Sequence, residues 1–75
     1  MEQEYLLLFK KLGENIKNTR EEKQITLDVV AQKTGIRKQY LKKIENGEAY
    51  GFTTTQFMKI AVVLKVKPRE LVKNI

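Results

Sequence analysis

The chain contains no cysteine and no histidine. Disulfide staples, thiol chemistry, zinc fingers and imidazole acid–base catalysis are excluded together, so packing alone must hold the fold. Long apolar runs are also missing. The most apolar stretch near the start, Leu6 to Phe9, is too short and too closely preceded by Glu2 and Glu4 for a secretory signal or a membrane span. The expected location is therefore the cytoplasm. Repeats, low-complexity tracts and linkers are absent too, and 75 residues allow one domain, 1–75, with one modest core. Acids are the scarcer charge: nine Asp and Glu stand against fifteen Lys and Arg, giving a net charge of +6 and a pI near 9.7. Such a balance favours polyanions or acidic membrane surfaces as partners.

Strand-like alternation holds in no convincing window, whereas the helical period recurs almost throughout. Tyr5, Leu8, Phe9, Leu12 and Ile16 form one stripe of a first helix from about Glu4 to Glu22, with Gly13 threatening its continuity. Thr26 is a good N-cap for a second helix, roughly Leu27 to Thr34, and Asp28 suits the positive end of its dipole. Gly35 can end that helix in a left-handed conformation. The third helix runs from about Lys38 to Glu45 and stops at Asn46-Gly47. After a loop over 48–53, Thr53 or Thr54 caps a fourth helix that buries Phe57, Ile60, Ala61 and Leu64. Pro68 opens a fifth, where its missing amide hydrogen costs nothing, with Leu71 and Val72 turned inward. The expected fold class is all-α, with five short helices.

Two helices joined at a short glycine-containing turn form a helix-turn-helix corner, a unit that many bundles contain. The residues around it are more specific. LGENIKNTREEKQITLDVVAQKTGIRKQYLKKIENG followed by TTTQFMKIAVVLKVKPRELV resembles the phage repressor and Cro-like helix-turn-helix family, also called the xenobiotic-response-element type. The likeness spans about residues 9–73, with 1–8 as an extension of the first helix. It implies a compact five-helix DNA-binding domain whose second and third helices form the helix-turn-helix, the third lying in the major groove. It assigns Arg37, Lys38, Gln39, Lys42 and Lys43 to the DNA-facing surface, and Asn46 to a backbone contact just beyond them. It also assigns Arg20 and Glu45 to an architectural ion pair between the first helix and the end of the third.

Helical arithmetic bears on the same surface independently. At about 100° per residue, Ile36, Tyr40, Leu41 and Ile44 share one side, and Lys38, Gln39, Lys42, Lys43 and Glu45 lie roughly opposite. Gln suits adenine, Arg and Lys suit guanine, and any of the cations can hold a phosphate. Leu27 departs from the family pattern, since a phosphate-binding Gln is common at that position. Arg37 departs as well, replacing a small capping residue and giving up about 1 kcal/mol of capping while adding a cation.

The expected function is a sequence-specific double-stranded DNA-binding transcriptional regulator, a repressor, acting as a nucleoid-associated cytoplasmic homodimer. Tyr5, Leu6, Leu7, Phe9, Val72 and Ile75 are candidates for the dimer contact, although Leu6 and Leu7 have an equal claim to covering their own neighbours. The alternative is a degenerate helix-turn-helix of the kind found in the cytoplasmic domain of bacterial cell-shape membrane proteins, which binds an actin-like filament protein. Catalysis fares worst. With no metal-ligand cluster and no glycine-rich phosphate loop, the sequence offers no enzyme site, cofactor, metal or small-molecule ligand.

Overall fold

The computed structural model describes residues 2–49 and 51–75, with side chains from Leu6 onward. Five helices follow in order: α1 (Glu2–Glu22), α2 (Leu27–Thr34), α3 (Lys38–Glu45), α4 (Thr54–Leu64) and α5 (Pro68–Leu71). Among the described residues there is no strand, and no helix is long and apolar enough to cross a membrane.

Local chemistry sets most of these boundaries. Thr26 Oγ1 accepts the Val29 N–H and starts α2, and Gly35, at φ 77°, ends it. Thr53 and Gln56 satisfy each other's backbone N–H groups at the start of α4, at 3.1 and 3.0 Å. Glu70 accepts the Lys67 N–H and closes the first turn of α5 behind Pro68.

The fully buried side chains Ile16, Leu41, Ile44, Ile60, Leu64 and Leu71 come from four helices and meet at one centre. Around it α1 packs across α3, α2 packs on α3 and α4, and α5 closes against α1 and α4.

Several expectations change. The first helix begins at Glu2, two residues before the expected Glu4, and passes through Gly13 without a break. That glycine is a packing device. A Cβ there would overlap the carbonyl oxygen of Ile44 and lie 2.9 Å from that of Glu45, so its absence lets α1 rest directly on the last turn of α3. The apolar stripe of α1 is buried only in part: Ile16 is buried, Phe9 and Leu12 are half-buried, and Leu8 is exposed on the open groove it lines with Leu7 and Ile75. The Tyr5 side chain lies outside those described. Val72 does not turn inward with Leu71 but is 43% exposed, because α5 ends after one turn and Val72 serves as its C-cap. Phe57 is half-buried, its ring 6.4 Å from that of Phe52.

Candidate nucleic-acid interface

The α2–α3 corner is fixed from inside. Thr34, buried at the last position of α2, donates its hydroxyl hydrogen to the Val30 carbonyl at 2.7 Å and accepts the Ile36 N–H at 3.1 Å. One side chain thereby satisfies backbone groups on both sides of the turn, and Gly35 supplies the reversal. Sequence reasoning missed Thr34, although a Thr preceding a helix-ending Gly is a recognisable signal for such a double bond. On the inner side Leu27, Val30, Ile36, Leu41 and Ile44 pack together, with Tyr40 half-buried at the margin.

The outer face of α3 belongs to the polar residues. Arg37, Lys38, Gln39, Lys42, Lys43 and Asn46 are all exposed. Arg37 precedes α3 in an extended conformation and makes no side-chain cap, since a guanidinium has no acceptor for the N–H groups of the helix start. Gln39 and Lys43 stand one turn apart and share a shallow recess with Arg37 and Tyr40. Lys38 and Lys42 form the neighbouring pair one turn apart. Asn46 is the C-cap of α3, its N–H donating to the Lys42 carbonyl at 3.0 Å, and Gly47 beyond it adopts φ 76°.

Glu45 needs a different account from its place on the helical wheel. The 100° arithmetic puts it with the cations, yet it is only 6% exposed because α1 covers that edge of α3. Its carboxylate receives two hydrogen bonds from Arg20, from Nε at 2.7 Å and from Nη2 at 3.1 Å. Arg20 also donates through Nη1 to the Ile25 carbonyl at 2.9 Å, so one guanidinium ties α1 to the α1–α2 loop and to the end of α3. The hydrogen bond to Glu45 raises the Arg20 pKa above its ordinary value; desolvation opposes it, and the charges of Glu45 and Glu21 reinforce it. The electrostatic result is simple. The only acid of α3 is withdrawn from the outer face and neutralised, leaving that face cationic.

Two further polar contacts were invisible to pattern reading. Asn15, buried in α1, donates through Nδ2 to the carbonyls of Leu71 and Lys73 at 2.9 and 3.0 Å, fixing the chain just after α5. Lys38 Nζ lies 3.1 Å from Oδ1 of Asp28 across the corner. Among the described residues no group of acids could hold a metal ion, and no buried side-chain nitrogen or oxygen lacks a hydrogen-bond partner.

The residues proposed from sequence for a dimer contact separate into two groups. Leu6, Leu7, Val72 and Ile75 are exposed, and Leu7 and Ile75 line one open groove where the start of α1 meets the chain's last residues. Phe9 is half-buried instead, with its ring 6.0 Å from that of Phe52.

Comparison with known proteins places this geometry. No curated protein matches the sequence at a significant level. Among solved structures, the restriction-modification controller protein C.AhdI from Aeromonas hydrophila superposes with a TM-score of 0.78 at 25% identity, over 84% of this chain and 94% of the controller. An HTH_3 family transcriptional regulator from Vibrio cholerae superposes with a TM-score of 0.81 at 30% identity, over 92% of this chain but only 38% of that longer protein. A family model described as a helix-turn-helix domain matches residues 13–75, which include the whole α2–α3 corner and both closing helices. The chain belongs to the helix-turn-helix domain family, in its repressor and Cro-like form.

Proposed function

We propose that the protein is a sequence-specific double-stranded DNA-binding transcriptional regulator, most simply a repressor, that reads the major groove with α3. The observation that carries this reading is the outer face of α3: five exposed donors from Arg37 to Lys43, with the helix's one acid buried against Arg20. The restriction-modification controller and the transcriptional regulator among the structural neighbours support a regulatory role. A helix-turn-helix of this shape offers the first turns of its second helix to base edges and leaves phosphates to the flanking residues. In this reading Arg37, Lys38, Gln39, Lys42 and Lys43 form the surface turned to the DNA, and Asn46 stands where a backbone contact falls. Bound near a promoter at the nucleoid, such a domain represses by occupancy.

One corner of eight-residue helices spans a short half-site, so useful affinity calls for two copies on a two-fold operator. The exposed apolar groove of Leu7, Leu8 and Ile75 supports the homodimer, because it leaves an apolar patch open for a second copy to cover.

Selection from a random duplex library tests all of this at once. The expected outcome is an enriched palindrome with half-sites about one helical turn apart. Enrichment of no sequence would sink the DNA reading and favour a protein-binding corner of the cell-shape type, in which Leu27 takes the place of a phosphate-binding Gln.

A further inference from the structure

Lys38 occupies an awkward position. It is the first residue of α3, where the exposed N–H groups make the helix end positive, and the first turn of α3 contains no acid to offset it. A carboxylate arrives from another helix instead. Asp28 stands in the first turn of α2, which the Thr26 cap orients so that Leu27 and Val30 face the core and Asp28 faces outward. From there Oδ1 lies 3.1 Å from Lys38 Nζ, with the Asp28 side chain 75% exposed and that of Lys38 47% exposed. Among the described residues, Lys38 is the only cation of α3 with an ion-pair partner.

We infer that Asp28 is a positioning residue that holds Lys38 back from indiscriminate phosphate contact and keeps it aimed across the corner until a better acceptor is presented. The inference rests on the DNA-binding reading above. An exposed pair is weak enough for a well-placed acceptor to break. While it lasts, Asp28 competes with a loosely apposed phosphate for the same ammonium. Lys38 then adds little to sequence-independent binding, which is driven by counterion release and scales with the number of phosphates neutralised. The neighbouring Lys42, with no such partner, contributes there in full.

The consequence is a change in salt dependence, measured by titrating a random-sequence duplex with wild-type protein, Asp28→Asn, Asp28→Glu, Lys38→Met and the double variant Asp28→Asn/Lys38→Met. Freeing Lys38 should add about 0.9 to the slope of log affinity against log salt. Between about 50 and 200 mM salt, Asp28→Asn should therefore lose roughly three- to fourfold more affinity than wild type. Asp28→Glu, which keeps the carboxylate, should restore the wild-type slope. In the Lys38→Met background, Asp28→Asn should leave the slope unchanged, because no cation is released. An equal steepening with and without Lys38 would mean that Asp28 acts only as a repelling charge, and would overturn the inference. So would a wild-type slope in Asp28→Asn. Helical circular dichroism of each variant separates these outcomes from unfolding. If wild-type protein bound no duplex even at low salt, both this inference and the underlying reading would fall; the slope results overturn this inference alone.

Discussion

Replacing Gly13 by Ala should destabilise the protein, against the direction that helix propensity alone gives. In an exposed helix interior, Ala is favoured over Gly by about 1 kcal/mol. Here the added methyl would overlap the carbonyl oxygen of Ile44 and stand 2.9 Å from that of Glu45. Both obstacles are backbone atoms in the last turn of α3, so no rotamer change removes them, and α1 and α3 must separate. Overpacking of this kind costs about 1–3 kcal/mol, and rigid neighbours place this case at the upper end. Setting the propensity gain against that cost leaves a net loss of roughly 1–2 kcal/mol. For a domain of this size each kcal/mol moves the melting temperature by about 4–8 °C, so Gly13→Ala should melt roughly 5–15 °C below wild type.

Thermal denaturation followed by far-ultraviolet circular dichroism measures the effect, with Asn18→Ala as its control. Asn18 is exposed on the same helix, and its replacement should raise the melting temperature slightly through propensity alone. A Gly13→Ala protein as stable as wild type would refute the close approach of α1 to α3. The displacement should also loosen the Arg20–Glu45 bond, since Glu45 is one of the residues pushed.

Arg20→Ala should cost about 3 kcal/mol by leaving the Glu45 carboxylate buried without its partner, whereas replacing both residues with apolar side chains should cost much less; chemical denaturation of the two variants decides. Because the Arg20 pKa is raised on folding, the stability that shift provides is full through the neutral and mildly alkaline range, where Glu45 is charged, and is lost on the alkaline side only as pH climbs through the folded value. The gap between wild type and Arg20→Ala should accordingly stay flat from about pH 7 to 10, and a fall over that range would count against the pairing. Reversing Lys38 and Lys42 to Glu should abolish duplex binding in a mobility-shift assay while the helical spectrum persists. Gln39→Ala should narrow discrimination between selected and random sites by about 1–3 kcal/mol if Gln39 pairs with a base, and hardly change it if Gln39 faces solvent. Leu7→Glu should shift sedimentation toward the monomer and weaken palindrome binding; unchanged sedimentation would remove the α1 groove from the dimer contact.

The helices were readable because their signals are local. Thr26, Gly35, Thr53 and Pro68 act on backbone groups within a few residues of themselves, and α2 and α3 keep the expected bounds. The core side of α3 was readable for a related reason: four apolar residues within nine positions leave one side that can be buried. Contacts between residues far apart in the chain were not readable from pattern. Asn15 looks like any polar helix residue until α5 brings two carbonyls to it. Gly13 looks like a weak point in α1 until α3 is seen against it.

By itself the sequence determined that the protein is helical, held without disulfides, cationic, and turned at Gly35 between two short amphipathic helices. Each of these follows from composition or from spacing within one element. Helical periodicity could not decide which charges remain for a partner; that took the packing of one helix on another. Glu45 and Lys38 sit on the same polar arc of one helix, yet α1 buries the first against Arg20 and α2 brings Asp28 to the second. A helical wheel fixes the direction in which a side chain points, but what it meets there depends on neighbours supplied by distant parts of the chain.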